Sequence, residues 1–415
     1  MFSVLTIAGK NLWRYQRRTI LTSLLITIGI VAVLLFVALS GSFRDMMVGQ
    51  ITDSMLGHIQ IHKKGYVASI ESLPLTRNMP QRMIDKVEQT LADIKEVQSW
   101  SPRIKFGAMF SNFAETTNIR INAVNPDQEE RTVPLLKGRV IDGDTSNGLV
   151  EKGKILIPEI IAKGMKVNVG DGVVIVATNR DGSVNGSNFI VQGILEGISG
   201  PGGRDGYMHI DDAKTLLRMD ENEVSEIALR LSDPKQINEV YKHLQDTLGS
   251  IVNPQGNPAF EIHTWEKLSP FSTIAQMIDM LDIFIKVMLV SIVLISIMNV
   301  MLMAVYERIR EIGTISAIGT MPQKVLALFV TEGLLLGMLG SALGIIISLI
   351  TIYILNVKTL TFSFGRQENL VLTPTIAASD VVLITVVVLA VAVFASLQPA
   401  WKAAKMDPIT ALRHV

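Results

Sequence analysis

The chain has 415 residues, 48% hydrophobic and 18% charged, with a mean hydropathy of +0.38. Ordinary soluble domains carry about 25% charged residues, so this composition argues against a purely water-soluble protein. Lysine plus arginine (38) balance aspartate plus glutamate (38), and no global basic field points to nucleic acid. The lack of cysteine excludes disulfide frameworks, thiolate metal sites and cysteine nucleophiles.

Residues 1–19 place Phe2, Leu5, Leu12 and Trp13 near helical spacing, with Lys10, Arg14, Arg17 and Arg18 toward the first apolar run. This fits an amphipathic helix lying at the membrane interface, and equally a plain basic flank. Residues 20–40 are uncharged and long enough to cross a hydrocarbon core of about 30 Å. Ala38-Leu39-Ser40 looks like a small-residue cleavage site, but the run exceeds the roughly 7–15 residues of a secretory signal. It is read as a retained transmembrane helix.

Residues 41–282 contain no run long enough to span and are read as one water-facing α/β domain. Strand patterns fall at 57–62, 117–124, 154–157, 173–177, 189–195 and 227–231, with helical spacing at 81–94 and 234–248. They suggest a discontinuous subdomain, roughly 45–125 plus 222–265, with a β-rich insertion near 126–221. Three more spans follow at 283–306, 325–355 and 380–400, joined by a cytoplasmic segment 307–324 and a short extracytoplasmic loop 356–379, with a tail 401–415. The fold class is therefore a four-helix membrane protein with a large α/β domain between its first and second helices.

Basic residues set the orientation. Lys10, Arg14, Arg17, Arg18, Arg308, Arg310, Lys324, Lys402, Lys405 and Arg413 fall on one side, whereas the loop between spans three and four offers only Lys358 and Arg366. Both termini are expected in the cytoplasm and the large domain outside it.

Catalytic signatures are missing. No G-x-x-x-x-G-K-[ST] phosphate loop, G-x-S-x-G elbow or H-E-x-x-H helix occurs. His58 and His62 on one strand face would sit about 13 Å apart, too far to share a metal. The glycine-rich Gly197 to Gly203 stretch opens no clear helix and reads as a surface loop. No catalytic, cofactor-binding or metal residue is assigned, and nucleotide energy has to come from another chain.

Between spans two and three, Glu307-Arg308-Ile309-Arg310-Glu311-Ile312-Gly313 leads to Ala317-Ile318-Gly319 and Met321-Pro322. A short charged helix, a glycine turn and a proline-started helix follow from this order. Such a compact joint can transmit a push from a partner.

The run from Asn299-Val300-Met301 through Glu307-Arg308, Arg310-Glu311-Ile312-Gly313, Ala317-Ile318-Gly319, Phe329 and Glu332 resembles the FtsX-like, MacB-type ABC transporter permeases. Matching residues also occur at the N-terminus (Ala8, Asn11-Leu12, Arg14, Arg17-Arg18-Thr19). Others lie near the C-terminus (Pro399-Ala400, Ala403-Ala404, Asp407-Pro408, Ala411-Leu412-Arg413). With the order of one span, large outer domain and three spans, the resemblance covers essentially the whole chain. The layout is nearest the lipoprotein-releasing, LolC/LolE-like permeases, and Gly57-His58-Ile59-Gln60-Ile61 after span one supports that branch. A LolC-type adaptor hook is not evident.

The resemblance implies a coupling helix that docks on a separate ATPase, with Glu307, Arg308, Arg310, Glu311, Gly313, Ala317 and Gly319 as coupling residues. Glu311 is placed on the docking surface. The resemblance also implies two ATPase copies holding ATP and Mg, no cofactor on this chain, and a second permease copy or relative. The implied cargo is a lipoprotein, lipid or other amphiphile, with a periplasmic adaptor or carrier left open. The implied location is the inner membrane. Two alternatives are a tripartite efflux permease for drugs, peptides or lipids, and a non-transporting activator of a cell-wall hydrolase.

Span three holds Gly333, Gly337, Gly340 and Gly344 at small-residue spacing, which permits close helix approach. Glu332 begins the stripe, and an acid within a span is expected to face protein, water or a basic partner.

Overall fold

The computed structural model describes residues 2–196, 203–219, 221–254, 256–268, 271–358, 360–364, 367–407, 409 and 411. The stretch 197–202, Arg366, Pro408, Leu412 and Arg413 lie outside the described residues. In chain order the elements begin with α1 (Phe2–Arg14), α2 (Gln16–Ile51), β1 (Ile59–Lys63), β2 (Met79–Pro80), α3 (Gln81–Ala92), β3 (Val97–Ser111), β4 (Thr116–Val124) and α4 (Pro126–Thr132). They continue with β5 (Val140–Gly143), β6 (Lys154–Pro158), α5 (Glu159–Met165), β7 (Gly172–Thr178), β8 (Val184–Leu195), β9 (Asp205–His209), α6 (Ile210–Leu216) and β10 (Glu223–Val224). Next come β11 (Glu226–Leu231), α7 (Ile237–Thr247), β12 (Phe260–Thr264), α8 (Phe271–Glu307), α9 (Ile309–Ala317) and α10 (Pro322–Lys358). The chain closes with β13 (Leu360–Phe364), β14 (Gln367–Leu372) and α11 (Ala378–Ala404). Two compact units result, one from Met1–Met46 plus Met277–Val415 and the other from Met47–Gln276.

Among the described residues of the first unit, four helices are long and apolar enough to cross a membrane. α2 has 36 residues, and α8 and α10 have 37 each. At 1.5 Å per residue these helices run for about 54–56 Å, nearly twice the hydrocarbon thickness of about 30 Å. The segments 20–40, 283–306 and 325–355 are thus the apolar middles of longer helices.

Glycines set how closely the helices pack. A Cβ on Gly333 would strike Ser396, and one on Gly337 would lie 2.9 Å from the Ala392 methyl, both on α11. One turn further on, a Cβ on Gly340 or Gly344 would lie 2.6 and 2.8 Å from Ile26 and Ile30 of α2. The stripe therefore serves two neighbours in succession, which a G-x-x-x-G reading alone does not reveal. The loop expected at 356–379 contains the β13–β14 hairpin, paired from Leu360–Leu372 to Phe364–Gln367.

In the second unit one sheet runs in the order β12-β1-β11-β3-β4-β9-β6-β8-β5, with β7 paired to β3 and β8. The segment 126–221, expected as a β-rich insertion, does not close a sheet of its own. β4 offers an edge to which β9 pairs in parallel, and β6 and β8 extend from there. β3 is the shared member. Its N-terminal half pairs with β11, and its C-terminal half with β4 and β7. Ile84, Val87 and Leu91 of α3 and Val240 and Leu244 of α7 recur at helical spacing, and they bury into the cluster that contains Ile59, Ile61 and Phe106. Each such burial contributes about 1.5–3 kcal/mol.

The passage from α2 to β1 is tight. A single π-helical turn, Thr52–Leu56, ends at Gly57, whose φ of +73 suits glycine and whose Cβ would meet the Leu229 carbonyl oxygen at 2.9 Å. Just beside it lies a buried ionic cluster. The Arg103 guanidinium meets Glu129 at 2.8 Å and Glu226 at 3.0 Å, and donates to the Met55 carbonyl at 2.8 Å. Lys105 joins Glu226 at 2.8 Å, and His62 Nε2 lies 3.4 Å from it. His62 also stacks on Tyr66. His58 has different partners: its Nδ1 accepts from the Leu231 amide at 3.0 Å, and its Nε2 lies 3.5 Å from Asp53.

Burial lowers the affinity of His62 for a proton, against the opposing pull of Glu226. Burial pushes Glu226 up, but Lys105, His62 and Arg103 outweigh it and hold the carboxyl well below its ordinary range. Both groups act with the same sign. As pH falls below the ordinary histidine value of about 6.5, the unfolded chain takes up a proton that folded His62 resists, so stability is lost. Thermal unfolding of the full chain followed from pH 8 to pH 5 (roughly the span over which histidine titrates) should show a falling Tm. His62→Gln should flatten that slope; an unchanged slope in the variant would assign the acid sensitivity elsewhere.

Candidate functional site: the junction between spans two and three

α8 ends at Glu307, and Arg308 breaks the helix with φ −111 and ψ 19 before α9 begins. Two backbone bonds staple the break: the Arg308 amide donates to Val305, and the Arg308 carbonyl accepts from Ile312. The side chain turns inward and is only 6% exposed. Its Nε donates to Glu311 Oε2 at 2.8 Å, and its Nη1 reaches Glu332 Oε2 of α10 at 3.2 Å. Glu332, 1% exposed, is thereby given the basic partner that an acid in a span requires. The guanidinium carbon also lies 5.3 Å from the Tyr15 ring centroid and 5.7 Å from that of Phe329, two cation–π contacts.

Tyr15 closes the network by donating its hydroxyl to Glu311 Oε1 at 2.5 Å. That bond, together with burial, raises the Tyr15 hydroxyl above its ordinary pKa. Burial pushes the Glu311 carboxyl up, but the bonds from Tyr15 and Arg308 prevail and hold it below its ordinary range. Glu311 is thus ionised and held from both sides.

Tyr15 stands where α1 leaves α2. The Thr19 hydroxyl donates to the Leu12 carbonyl at 2.9 Å, although seven residues of straight helix would separate those positions by about 10 Å. The chain therefore bends sharply at Tyr15. From this bend, α2 and α8 run antiparallel in constant register. Tyr15 faces Arg308, Gly29 receives Val293, Ser40 Oγ donates to Asp282 at 2.8 Å, and Arg44 pairs with Asp279 at 3.2 Å. Lys286 pairs with the second oxygen of Asp282 at 2.5 Å.

The residue pattern is matched by two family profiles. The MacB-like periplasmic core domain covers residues 19–247, more than half of the chain, and the FtsX-like permease C-terminal domain covers residues 283–408. The chain belongs to the FtsX-like ABC permeases with a MacB-like periplasmic core. It is 25% identical over 292 residues to the lipoprotein-releasing system transmembrane protein LolC of Haemophilus influenzae, covering 68% of this chain and 69% of that one. With LolC of Neisseria meningitidis it shares 21% over 452 residues, covering 100% of both chains. With the macrolide export ATP-binding/permease protein MacB of Bdellovibrio bacteriovorus it shares 24% over 413 residues, covering 96% of this chain and 59% of that longer one.

In this permease the residues read as a coupling surface divide into two sets. Glu307, Arg310, Ala317 and Gly319 are exposed, together with Thr314, Ile318 at 81% and Met321. Arg308 and Gly313 are buried with Ile309 and Ile312, and Glu311 is half-buried. Both Glu311 oxygens are engaged within the chain, by Tyr15 and Arg308, while its side chain stays 36% exposed, and Arg308 is an internal strut. Sequence reasoning missed Tyr15, because its partner lies 296 residues away.

Glu311→Lys should consequently destabilise the permease itself, by about 1–3 kcal/mol, since it removes two charge-assisted bonds and sets an ammonium beside Arg308. Ile318→Lys, on the exposed face, should change stability by no more than about 0.5 kcal/mol. Thermal unfolding of both variants in detergent tests this, and equal stability of the two would remove Glu311 from the network.

Proposed function

We propose that this permease subunit works by mechanotransmission, coupling ATP hydrolysis on a separate ATPase to the release of lipoproteins or other membrane amphiphiles. Members of this family work with ABC ATPase partners. The observation that carries the reading is the junction at Arg308: an exposed apolar tip, Ile318 and Met321, mounted on a helix locked to span two, span three and Tyr15. A push on that tip meets little slack. The α2–α8 pair, in fixed register and continuous with both covalent links to the second unit, would carry the motion outward.

The chain would sit in the inner membrane with its termini and junction cytoplasmic and the sheet-bearing unit periplasmic. Two ATPase copies would hold ATP and Mg, and a second permease copy or relative would complete the pair. A lipoprotein cargo is supported by the full-length similarity to LolC. Similarity along 96% of this chain to MacB supports a second reading, export of drugs, peptides or lipids.

The test is reconstitution with the partner ATPase in liposomes loaded with a tri-acylated lipoprotein. ATP should release that lipoprotein to a soluble carrier, and Ile318→Lys should abolish release while leaving the permease folded. ATP-dependent export of a macrolide with no lipoprotein release would replace the first reading by the second.

A further inference from the structure

The bend at Tyr15 gives α1 a position that the mechanism above does not use. α1 leaves the axis of span one and packs on α10, with Ala8 and Leu12 buried. Its opposite side carries Ile7 at 50% exposure, Trp13 at 78%, and the exposed bases Lys10 and Arg14. Arg17 follows directly, also exposed. Among the described residues Lys10 and Arg17 take part in no ion pair. The next residues enter an uncharged span at Ile20, so this surface lies at headgroup level. Exposed tryptophan beside unpaired bases is the composition of a helix seated on an anionic lipid surface.

The same segment is wired to the junction. Tyr15, one residue beyond Arg14, donates to Glu311 of α9, and Arg308 stacks on its ring. Any tilt or lift of α1 about the bend therefore acts on the carboxylate that holds α9.

We propose that the permease senses anionic phospholipid in the leaflet on its coupling-helix side: headgroups bound by Lys10, Arg14 and Arg17 seat α1, and Tyr15 passes that seating to α9. Membrane charge then sets how firmly α9 is held for its ATPase partner. The functional consequence rests on the reading of α9 as the ATPase-docking helix. The lipid response itself does not.

Amide hydrogen exchange on the full chain tests the idea without any ATPase. The chain is placed in nanodiscs of phosphatidylcholine alone, or of phosphatidylcholine mixed with phosphatidylglycerol. In the anionic discs, exchange in both α1 and α9 should slow by about fivefold or more, the effect of one basic side chain near a charged surface. High salt should remove the difference. Lys10→Gln combined with Arg14→Gln and Arg17→Gln should abolish it in both helices. Tyr15→Phe should keep it in α1 and lose it in α9, which general destabilisation would not do, since the readout is the difference between lipids.

Equal exchange of α9 in the two lipids, or a full lipid response of α9 in Tyr15→Phe, overturns the proposal. If the triple variant loses ATPase co-purification while lipid composition has no effect, the basic surface belongs to a protein partner. If the lipid response appears but Ile318→Lys still binds the ATPase normally, the docking assignment fails and the lipid sensor stands.

Discussion

A buried guanidinium at a helix break is the constraint on which the membrane unit depends. Arg308 is taken out of water where α8 stops, and an isolated buried charge is far too costly to persist. It demands carboxylates, and the two that answer come from different directions: Glu311 from the next turn and Glu332 from the following span. That demand fixes the angle of α9, the depth of α10 and, through the second oxygen of Glu311, the place of Tyr15. A hinge is thereby converted into a brace.

The water-facing unit repeats the device at the other end of α2. Arg103 is buried between Glu129 and Glu226 and donates to the Met55 carbonyl, within the turn that follows α2. Each unit thus clamps a helix terminus around an arginine held by two carboxylates. Buried ion pairs are weak sources of stability but strong sources of geometry, because breaking one partner strands a charge. A chain that has to pass displacement along helices gains from such clamps, since apolar contacts alone slide more readily than charge-assisted bonds with fixed directions.

Much of this was legible in the sequence, and the reasons are physical. Uncharged runs of span length stand out in any reading, and Ile84, Val87 and Leu91 announce their helix by spacing alone. The small helix after span two was visible from its charges and glycines. β3 was not, because Ser99, Ser101 and Pro102 interrupt its alternation, and proline ordinarily marks an edge or a break. β13 and β14 were hidden in a loop too short to attract a strand reading. The clamp around Arg103 was invisible for a different reason. Glu129 and Glu226 lie 26 and 123 residues from Arg103, and single charges at such separations carry no pattern. The glycine stripe was seen, but its division between α11 and α2 depends on which helix lies opposite at each level, and that is a tertiary fact. His62 looked like one of a strand pair, whereas its chemistry comes from Glu226 on a neighbouring strand.

The brace at Arg308 is most directly tested by a double-mutant cycle on stability, with Arg308→Met, Glu332→Met and the two combined, each unfolded by denaturant in the same detergent. Arg308→Met takes the basic partner from Glu332 and Glu311, and Glu332→Met leaves Arg308 with Glu311 as its carboxylate. The first should therefore cost about 3–5 kcal/mol and the second less, and the loss in the double variant should fall clearly short of the sum of the two. Simple additivity of the two losses would show that Arg308 and Glu332 do not depend on one another and would contradict the account.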